Sequence, residues 1–271
     1  MYVVLAPVTE SGLESICSIA LHCGNHIAVS SVEGLHVRAE PSVILAADET
    51  GAATPALIRN LETEEAERSN RVRQAFEASM SRQTDIRVSW TELRATDLDL
   101  GAYARLFDFV ILSRPDQAND TPSMGLIEAA LFDSGRFLII APPEPVTTFA
   151  DRIVIAWNGG AETARSIACA RPFLRQASDV TLLQVEEGMT PGPDADDVAV
   201  YLAGIGIKAQ VQKIKSGVLS AGAAILEGAT ELGCDLLVKG GYTRSRLRQT
   251  IFGGPTVHIL QNAEMPVLMS R

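Results

Sequence analysis

The sequence lacks the marks of a secreted, disulfide-bonded or membrane-spanning protein. Its four cysteines form no CxxC pair and no dense framework, which favours a reducing compartment such as the cytoplasm. The opening residues show no basic segment ahead of an apolar core, so we expect no secretory signal. No apolar run approaches the roughly 20 residues that cross a bilayer, and we expect no membrane partner.

Positive charge is also scarce. The 271 residues contain 33 Asp and Glu against 23 Lys and Arg, which gives a formal net charge of −10. Neutralising the phosphates of a nucleic acid requires a basic face, so this balance argues against general DNA or RNA binding. One small anion site stays compatible with it, because a local cluster of cations overrides the global sign at short range.

The common catalytic and metal signatures are absent as well. The sequence contains no GxSxG elbow, no GxxxxGK[ST] phosphate loop and no HExxH zinc motif. Cys17, His22, Cys23 and His26 lie close together, but the apolar residues around them indicate an amphipathic helix and no second ligand pair follows. We therefore assign no metal site. We name no catalytic residue either, because His258 is interpreted as a packing or solvent-facing side chain.

The sequence contains an internal repeat, in which one strand–helix pattern occurs twice. Short apolar runs alternate with helix-length segments, so that each half reads βαβαβαβαβ. Strands that are connected through helices pair in parallel by right-handed crossovers, and continuous apolar runs indicate burial on both faces. The predicted strands are 2–6, 26–32, 85–90, 109–112 and 137–140 in the first half, and 152–157, 179–185, 208–213, 236–239 and 266–269 in the second.

The predicted fold is therefore α/β, with two tandem doubly wound, Rossmann-like domains. Each domain is a five-stranded parallel sheet with helices on both faces. We place the first domain at residues 1–145 and the second at residues 151–271. The proline-rich segment from Ala141 to Thr148 is the connector between them.

A candidate ligand site lies where the first and fourth strands of the second half end, since ligands bind there in doubly wound sheets. The segment from Lys239 to Arg248 contains four basic residues and no acidic one, with glycines at Gly240 and Gly253. Glycines allow the backbone to approach an anion, and Thr256 is placed to cap a helix whose N-terminus faces it. The residues alone leave a second interpretation open, in which the glycines mark turns beside a solvated basic face. Trp157 either stacks on a ligand or fills the core.

These residues resemble the phosphate signature of the universal stress protein family, over nearly all of residues 151–271. The residues at matching positions are Gly240, Gly253, Gly254 and Thr256. Thr243 replaces the second glycine, and Asn158 replaces the acidic residue usual after the first strand. The resemblance implies an adenine nucleotide alpha hydrolase-like fold that binds ATP, alone or with Mg²⁺. The site residues that it implies are Ala156, Trp157, Asn158, Gly159, Val185, Gly240, Thr243, Arg244, Gly253, Gly254, Pro255 and Thr256.

By this resemblance, the protein is a regulatory stress-response protein that binds an adenine nucleotide and hydrolyses it slowly at most. The alternative interpretation is a nucleotide-independent interaction module in stress signalling, which the substitutions at Thr243 and Asn158 favour. An enzyme that adenylates or phosphorylates a substrate ranks lowest, because no base or nucleophile stands out. The first half, with Asp116 and Asp120 after its fourth strand, is interpreted as a copy that has lost the nucleotide site and serves as a partner domain. Its alternative role is the binding of a different ligand.

The expected assembly also follows from this resemblance, because family members dimerise through their last strands. Segments 137–140 and 267–269 are apolar and would leave unprotected edges if they stood alone. We therefore expect the two halves to pack as an intramolecular pseudo-dimer. A further homodimer stays open.

Overall fold

The computed structural model describes residues 2–38, 54–81, 85–94, 99–115, 124–241 and 254–271. In the first half, these residues form five strands and four α-helices, which are β1 (Tyr2–Pro7), α1 (Leu13–Ile27), β2 (Val29–Arg38), α2 (Pro55–Met80), β3 (Arg87–Arg94), α3 (Leu100–Ala104), β4 (Phe109–Ser113), α4 (Met124–Asp133) and β5 (Phe137–Ala141).

The described part of the second half repeats this order after the connector. Its elements are β6 (Arg152–Trp157), α5 (Ala161–Leu174), β7 (Asp179–Val185), a 3₁₀ turn (Glu186–Gly188), α6 (Ala195–Gly204), β8 (Gln210–Ile214), α7 (Ala221–Glu231), β9 (Leu236–Gly240), α8 (Pro255–Asn262) and β10 (Val267–Ser270).

Local chemistry explains where several of these elements begin and end. The Ser220 side chain accepts a hydrogen bond from the Ala223 N–H at the start of α7, and Asp194 and Asp197 form a capping box on α6. The predicted strand at 26–32 begins too early, because α1 continues to Ile27 and Ala28 ends it in the left-handed conformation.

Each half has the strand order of a doubly wound sheet. The observed order is β3-β2-β1-β4-β5-β10-β9-β6-β7-β8, and strands within each half are parallel. The chain therefore reverses direction across the sheet between β1 and β4, and again between β6 and β9. These two switch points are where a doubly wound sheet opens a crevice.

The two predicted five-stranded sheets join into one sheet of ten strands. Strands β5 and β10 pair antiparallel, with Ile140 opposite Val267 and Leu138 opposite Met269. Both strands are fully buried, so leaving them as edges would have exposed unpaired backbone groups beside apolar side chains. The α/β fold class is confirmed, and the antiparallel junction joins the halves within the chain.

The core lies on both faces of this sheet and runs through both halves. On one face, α1, α2, α5 and α6 cover the sheet, while residues of α3, α4, α7 and α8 cover the other. Phe149, directly after the connector, is 2% exposed and packs edge-on against Phe173 of α5 at 5.5 Å between ring centroids. Cys17 and Cys23 are buried in α1 as part of this core. Among the described residues, no helix has the length and apolar character needed to cross a bilayer.

Candidate functional site

The candidate site lies at the edge of the sheet where β6 and β9 end side by side. The two strands pair in parallel, with Ala156 beside Lys239, and the strand order reverses between them. The chain leaves β6 at Trp157 and soon enters α5, and it leaves β9 at Gly240 on the way to α8. The predicted residues at the ends of both strands therefore lie at one edge, as the topology of a doubly wound sheet requires.

Asn158 follows β6 and organises the loop after it. Its Oδ1 accepts hydrogen bonds from the Gly160 N–H at 3.1 Å and from the Thr163 hydroxyl at 2.7 Å. Its main-chain oxygen accepts from the N–H and the hydroxyl of Thr190, at 2.8 and 2.9 Å. Both oxygens of Asn158 thus hold the loop in place, so the Nδ2 amide is the donor that its side chain has left for a ligand.

The glycine after Asn158 is required by the turn itself. Gly159 has a φ of 78°, a conformation that side chains rarely adopt. A Cβ at this position would also stand 2.6 Å from the Thr190 carbonyl oxygen. The close approach of the segment around Thr190 therefore accounts for Gly159 without any ligand.

Trp157, Ala156 and Val185 are buried at the ends of β6 and β7. Trp157 is 5% exposed, belongs to the core and donates its indole N–H to the Pro193 carbonyl at 2.9 Å. Of the two interpretations of this side chain, the structure shows the one in which it fills the core. Since Ala156 and Val185 are buried as well, what this group of residues offers a ligand is the backbone at the strand ends.

Gly240, at the end of β9, allows α5 to pack against the strand. A Cβ at Gly240 would stand 2.5 Å from the Thr163 backbone nitrogen and 2.6 Å from its hydroxyl oxygen. Because the backbone nitrogen cannot swing away as a flexible side chain would, this contact requires glycine. Packing of the helix, rather than approach of a phosphate, is therefore the direct reason for glycine at this position.

Helix α8 begins beside this strand end with an N-terminus that no described side chain caps. Gly254 is the N-cap residue, with a φ of 109°, and Pro255 and Thr256 are the first two helical residues. The N–H groups of a first helical turn have no acceptor within the helix and carry the positive end of its dipole. The start of α8 is therefore suited to an anion.

Lys239 is buried between β9 and the start of α8. Its side chain donates hydrogen bonds to the Gly240 carbonyl at 2.9 Å and to the Thr256 hydroxyl at 2.7 Å. The residue is 7% exposed, and this burial lowers the pKa of the amine to about 8. Lys239 thereby ties the two described ends of the segment that carries the predicted phosphate signature.

The family model named universal stress protein family matches residues 152–271, from the start of β6 to the end of the chain. The second half belongs to the universal stress protein family. All of the candidate site lies within this universal stress protein domain. No curated protein matches the chain in sequence.

Solved structures share the fold over the whole chain. The chain is similar to a universal stress protein from Archaeoglobus fulgidus DSM 4304, with a TM-score of 0.73, 16% identity and coverage of 100% of this chain and 96% of that one. It is also similar to a candidate universal stress protein from Pseudomonas aeruginosa UCBPP-PA14, with a TM-score of 0.56, 15% identity and coverage of 99% and 92%. At these identities the likeness establishes the fold, which both halves share.

Three predicted site residues of the universal stress protein domain, Thr243, Arg244 and Gly253, lie outside the described residues. Their assignment stays a prediction. Lys239 is a further site residue, which the sequence showed only as one of the four basic residues from Lys239 to Arg248. The alternation of side chains along a strand could have predicted that Lys239 is buried. Lys239 lies two residues after the buried Leu237 and therefore shares its face of β9.

The first half has a cavity of its own at the corresponding edge, where β1 and β4 end. Its volume is about 550 Å³, and its lining includes Gly12, Ser113, Arg114, Pro142 and, from the universal stress protein domain, Glu264. The Arg114 guanidinium donates to the Ala263 carbonyl at 3.0 Å. This cation is thus already engaged across the junction between the halves. Asp116 and Asp120 lie outside the described residues.

Proposed function

We propose that the universal stress protein domain is a receptor for an adenine nucleotide, ATP, and that nucleotide binding regulates the protein in a stress response. The observation that carries this proposal is the meeting of three anion-binding features at the switch point of β6 and β9. These are the uncapped N-terminus of α8, the Thr256 hydroxyl and the Lys239 amine.

The phosphate end of the ligand is best matched to the start of α8. Backbone N–H groups in a first helical turn and a neighbouring hydroxyl are the groups that bind phosphate oxygens in nucleotide sites. Gly254 has open space where a Cβ would stand, so a phosphate group can approach the backbone there without meeting a side chain of that residue.

The nucleoside end is matched to the ends of β6 and β7. The Asn158 amide supplies a donor for a ribose or adenine edge, and the backbone at Val185 ends the neighbouring strand. We propose regulation rather than turnover, because the described groups at this edge are donors suited to holding an anion. Comparing titrations with Mg²⁺ and with a chelator will tell whether a metal accompanies the nucleotide.

Titration of the full chain with ATP tests the proposal. Calorimetry and the shift in unfolding temperature measure the binding. At ATP concentrations about 100 times Kd, binding stabilises the folded state by about 3 kcal/mol. Gly254→Asp places a carboxylate at the N-terminus of α8 and should abolish the effect. Gly206→Asp is the matched control, because Gly206 also has positive φ and open space at its Cβ but follows α6.

Absence of binding at millimolar ATP would refute the proposal and favour the nucleotide-independent interaction module. Equal loss of binding in both aspartate variants would show that the effect of Gly254→Asp is not local. Mass spectrometry of the natively purified protein adds an independent check, since a co-purified adenine nucleotide is the expected finding.

We also propose that the protein acts in the cytoplasm and that any homodimer forms away from the last strands. Strands β5 and β10 pair with each other within the chain, so the outer strands of the described sheet are β3 and β8. An edge strand is a ready site for pairing with a second copy. Light scattering of the purified chain distinguishes a monomer from a dimer, and charged substitutions on β3 or β8 would then locate the interface.

A further inference from the structure

Lys239 occupies a position in β9 at which the corresponding strand of the first half has an apolar residue. Leu236 and Val238 point to one face of the sheet, and Leu237 points to the other, together with Lys239. The corresponding strand of the first half, β4, has Leu112 as its last residue but one, fully buried on the equivalent face. Comparison of the two copies shows that a leucine satisfies this position structurally.

The amine of Lys239 has no counter-charge among the described residues. Its two hydrogen-bond acceptors, Gly240 and Thr256, are neutral, and burial alone accounts for its lowered pKa. The segment 242–253 contains no aspartate or glutamate. The titratable and charged side chains on the helices packed around β9 are Glu162, Arg165, Cys169 and Arg171 on α5, Glu227 and Glu231 on α7, and His258 on α8. No described ion pair joins any of them to Lys239.

A second positive feature lies directly beside this amine. The Thr256 hydroxyl, 2.7 Å from the Lys239 nitrogen, belongs to the first turn of α8. A buried ammonium and the positive end of a helix dipole disfavour each other, and burial of either without an anion is costly. One anion placed between them relieves both costs at once.

We propose that Lys239 supplies the counter-charge for a phosphate group bound at the start of α8, and that it makes the site select phosphorylated ligands over unphosphorylated ones. This inference rests on the proposed function, since it concerns the same site. A purely structural role would instead have Lys239 tie Gly240 to Thr256 through neutral hydrogen bonds. The two roles differ in what happens to ligand selectivity when the charge is removed.

The test compares the wild-type chain with Lys239→Met, which matches the unbranched aliphatic part of the side chain and removes the amine with its charge. Lys208→Met is the matched control, because Lys208 is exposed and lies before the start of β8, at the opposite end of the strands from the candidate site. Each protein is titrated calorimetrically with ATP, with inorganic tripolyphosphate and with adenosine. A charge-assisted hydrogen bond in a buried site corresponds to about 10- to 100-fold in affinity. We expect Lys239→Met to lose this factor for ATP and tripolyphosphate and to bind adenosine unchanged.

The outcomes separate this inference from the proposed function. If Lys239→Met binds ATP as tightly as the wild type, the inference is overturned and nucleotide binding stands. If the wild type binds tripolyphosphate but neither adenosine nor ATP, and Lys239→Met loses tripolyphosphate, the inference holds and the adenine assignment falls. If the wild type binds none of the three ligands, both fall. An equal loss for adenosine and ATP in Lys239→Met indicates a structural role and overturns the inference.

Proton uptake gives a measurement that a structural role would not produce. An anion beside Lys239 favours its charged form, so binding of ATP or tripolyphosphate near pH ~8 should draw up to about half a proton into the wild-type protein. Calorimetry in buffers of different ionisation enthalpy measures this uptake without any variant, so the inference stays testable if Lys239→Met does not fold. Uptake close to zero throughout the range from about pH 7 to about pH 10 in the wild type, or the same uptake in a folded Lys239→Met, overturns it.

Discussion

The buried amine of Lys239 should give the stability of this protein an unusual dependence on pH. Burial lowers its pKa to about 8 in the folded chain, whereas a lysine in an unfolded chain titrates near pH ~10.4. Between these two values the unfolded chain holds a proton that the folded chain has released, so the free energy of unfolding rises with pH. The charged amine destabilises the folded chain fully at a pH below the pKa of Lys239 in the folded chain. This destabilisation is relieved as the pH rises toward the pKa of the lysine in the unfolded chain.

The size of the effect follows from the gap between the two pKa values. Each pH unit in which only the unfolded chain is protonated contributes about 1.4 kcal/mol, so the full effect is about 3 kcal/mol. Between about pH 7 and about pH 10, most of this relief takes place. We expect the wild-type chain to gain about 2 to 3 kcal/mol over that range relative to Lys239→Met, which has no proton to lose.

Urea unfolding of both proteins at constant ionic strength measures this difference. The buried thiols act in the opposite direction, because burial raises the pKa of Cys23 and raises that of Cys234 to about 12. Their contribution is present at lower pH and is lost as the pH rises through the unfolded thiol pKa, but it is common to both proteins and cancels in the difference. A difference between wild type and Lys239→Met that stays flat from neutral to alkaline pH would refute the reasoning.

Two further substitutions test the packing that holds the site together. Gly240→Ala should lower the free energy of unfolding by about 1–3 kcal/mol, because its Cβ would stand 2.5 Å from the Thr163 backbone nitrogen. An unchanged urea midpoint would contradict this, because it would show that α5 moves aside without loss of stability. Ser166→Ala should cost about 1–3 kcal/mol, because it leaves the buried Ser270 N–H without its acceptor. Hydrogen exchange at Ser270 checks this change directly, and exchange as slow as in the wild type would contradict it.

Much of the fold was predictable because the sequence repeats a pattern with one physical solution. Alternating apolar strands and helices dictate parallel sheets with switch points, and the structure has both, at β1 and β4 and at β6 and β9. The packing of the two halves against each other was expected from the family resemblance and from the apolar last strands. Its antiparallel register depends on contacts between residues far apart in the chain, such as Leu268 with Ile139, which local patterns do not encode.

The site was predictable in place but not in the roles of its residues. The sequence indicates that Gly240 allows close approach of an anion, and the resemblance implies Gly159 as a site residue. In the structure each glycine is required by a protein contact, Gly159 with Thr190 and Gly240 with Thr163. The burial of Lys239 depends on the placement of α8 over β9, which no local pattern specifies. Residue types therefore located the site, and tertiary packing decided what each residue does there.

The regulatory role proposed for the nucleotide requires a physical connection from the site to the rest of the chain. The Ser166 hydroxyl donates to the Lys239 carbonyl at 2.8 Å and accepts from the Ser270 N–H at 2.9 Å, at the end of β10. Strand β10 pairs directly with β5 of the first half, and the Gly241 N–H donates to the Ser270 carbonyl at 2.8 Å. A change in the charge or position of Lys239 therefore acts on a strand end that is bonded to the junction of the halves. Such contacts transmit a signal only where a structural element has two states. Hydrogen exchange along β5 and β10, measured with and without ATP, tests whether nucleotide binding changes the state of these strands.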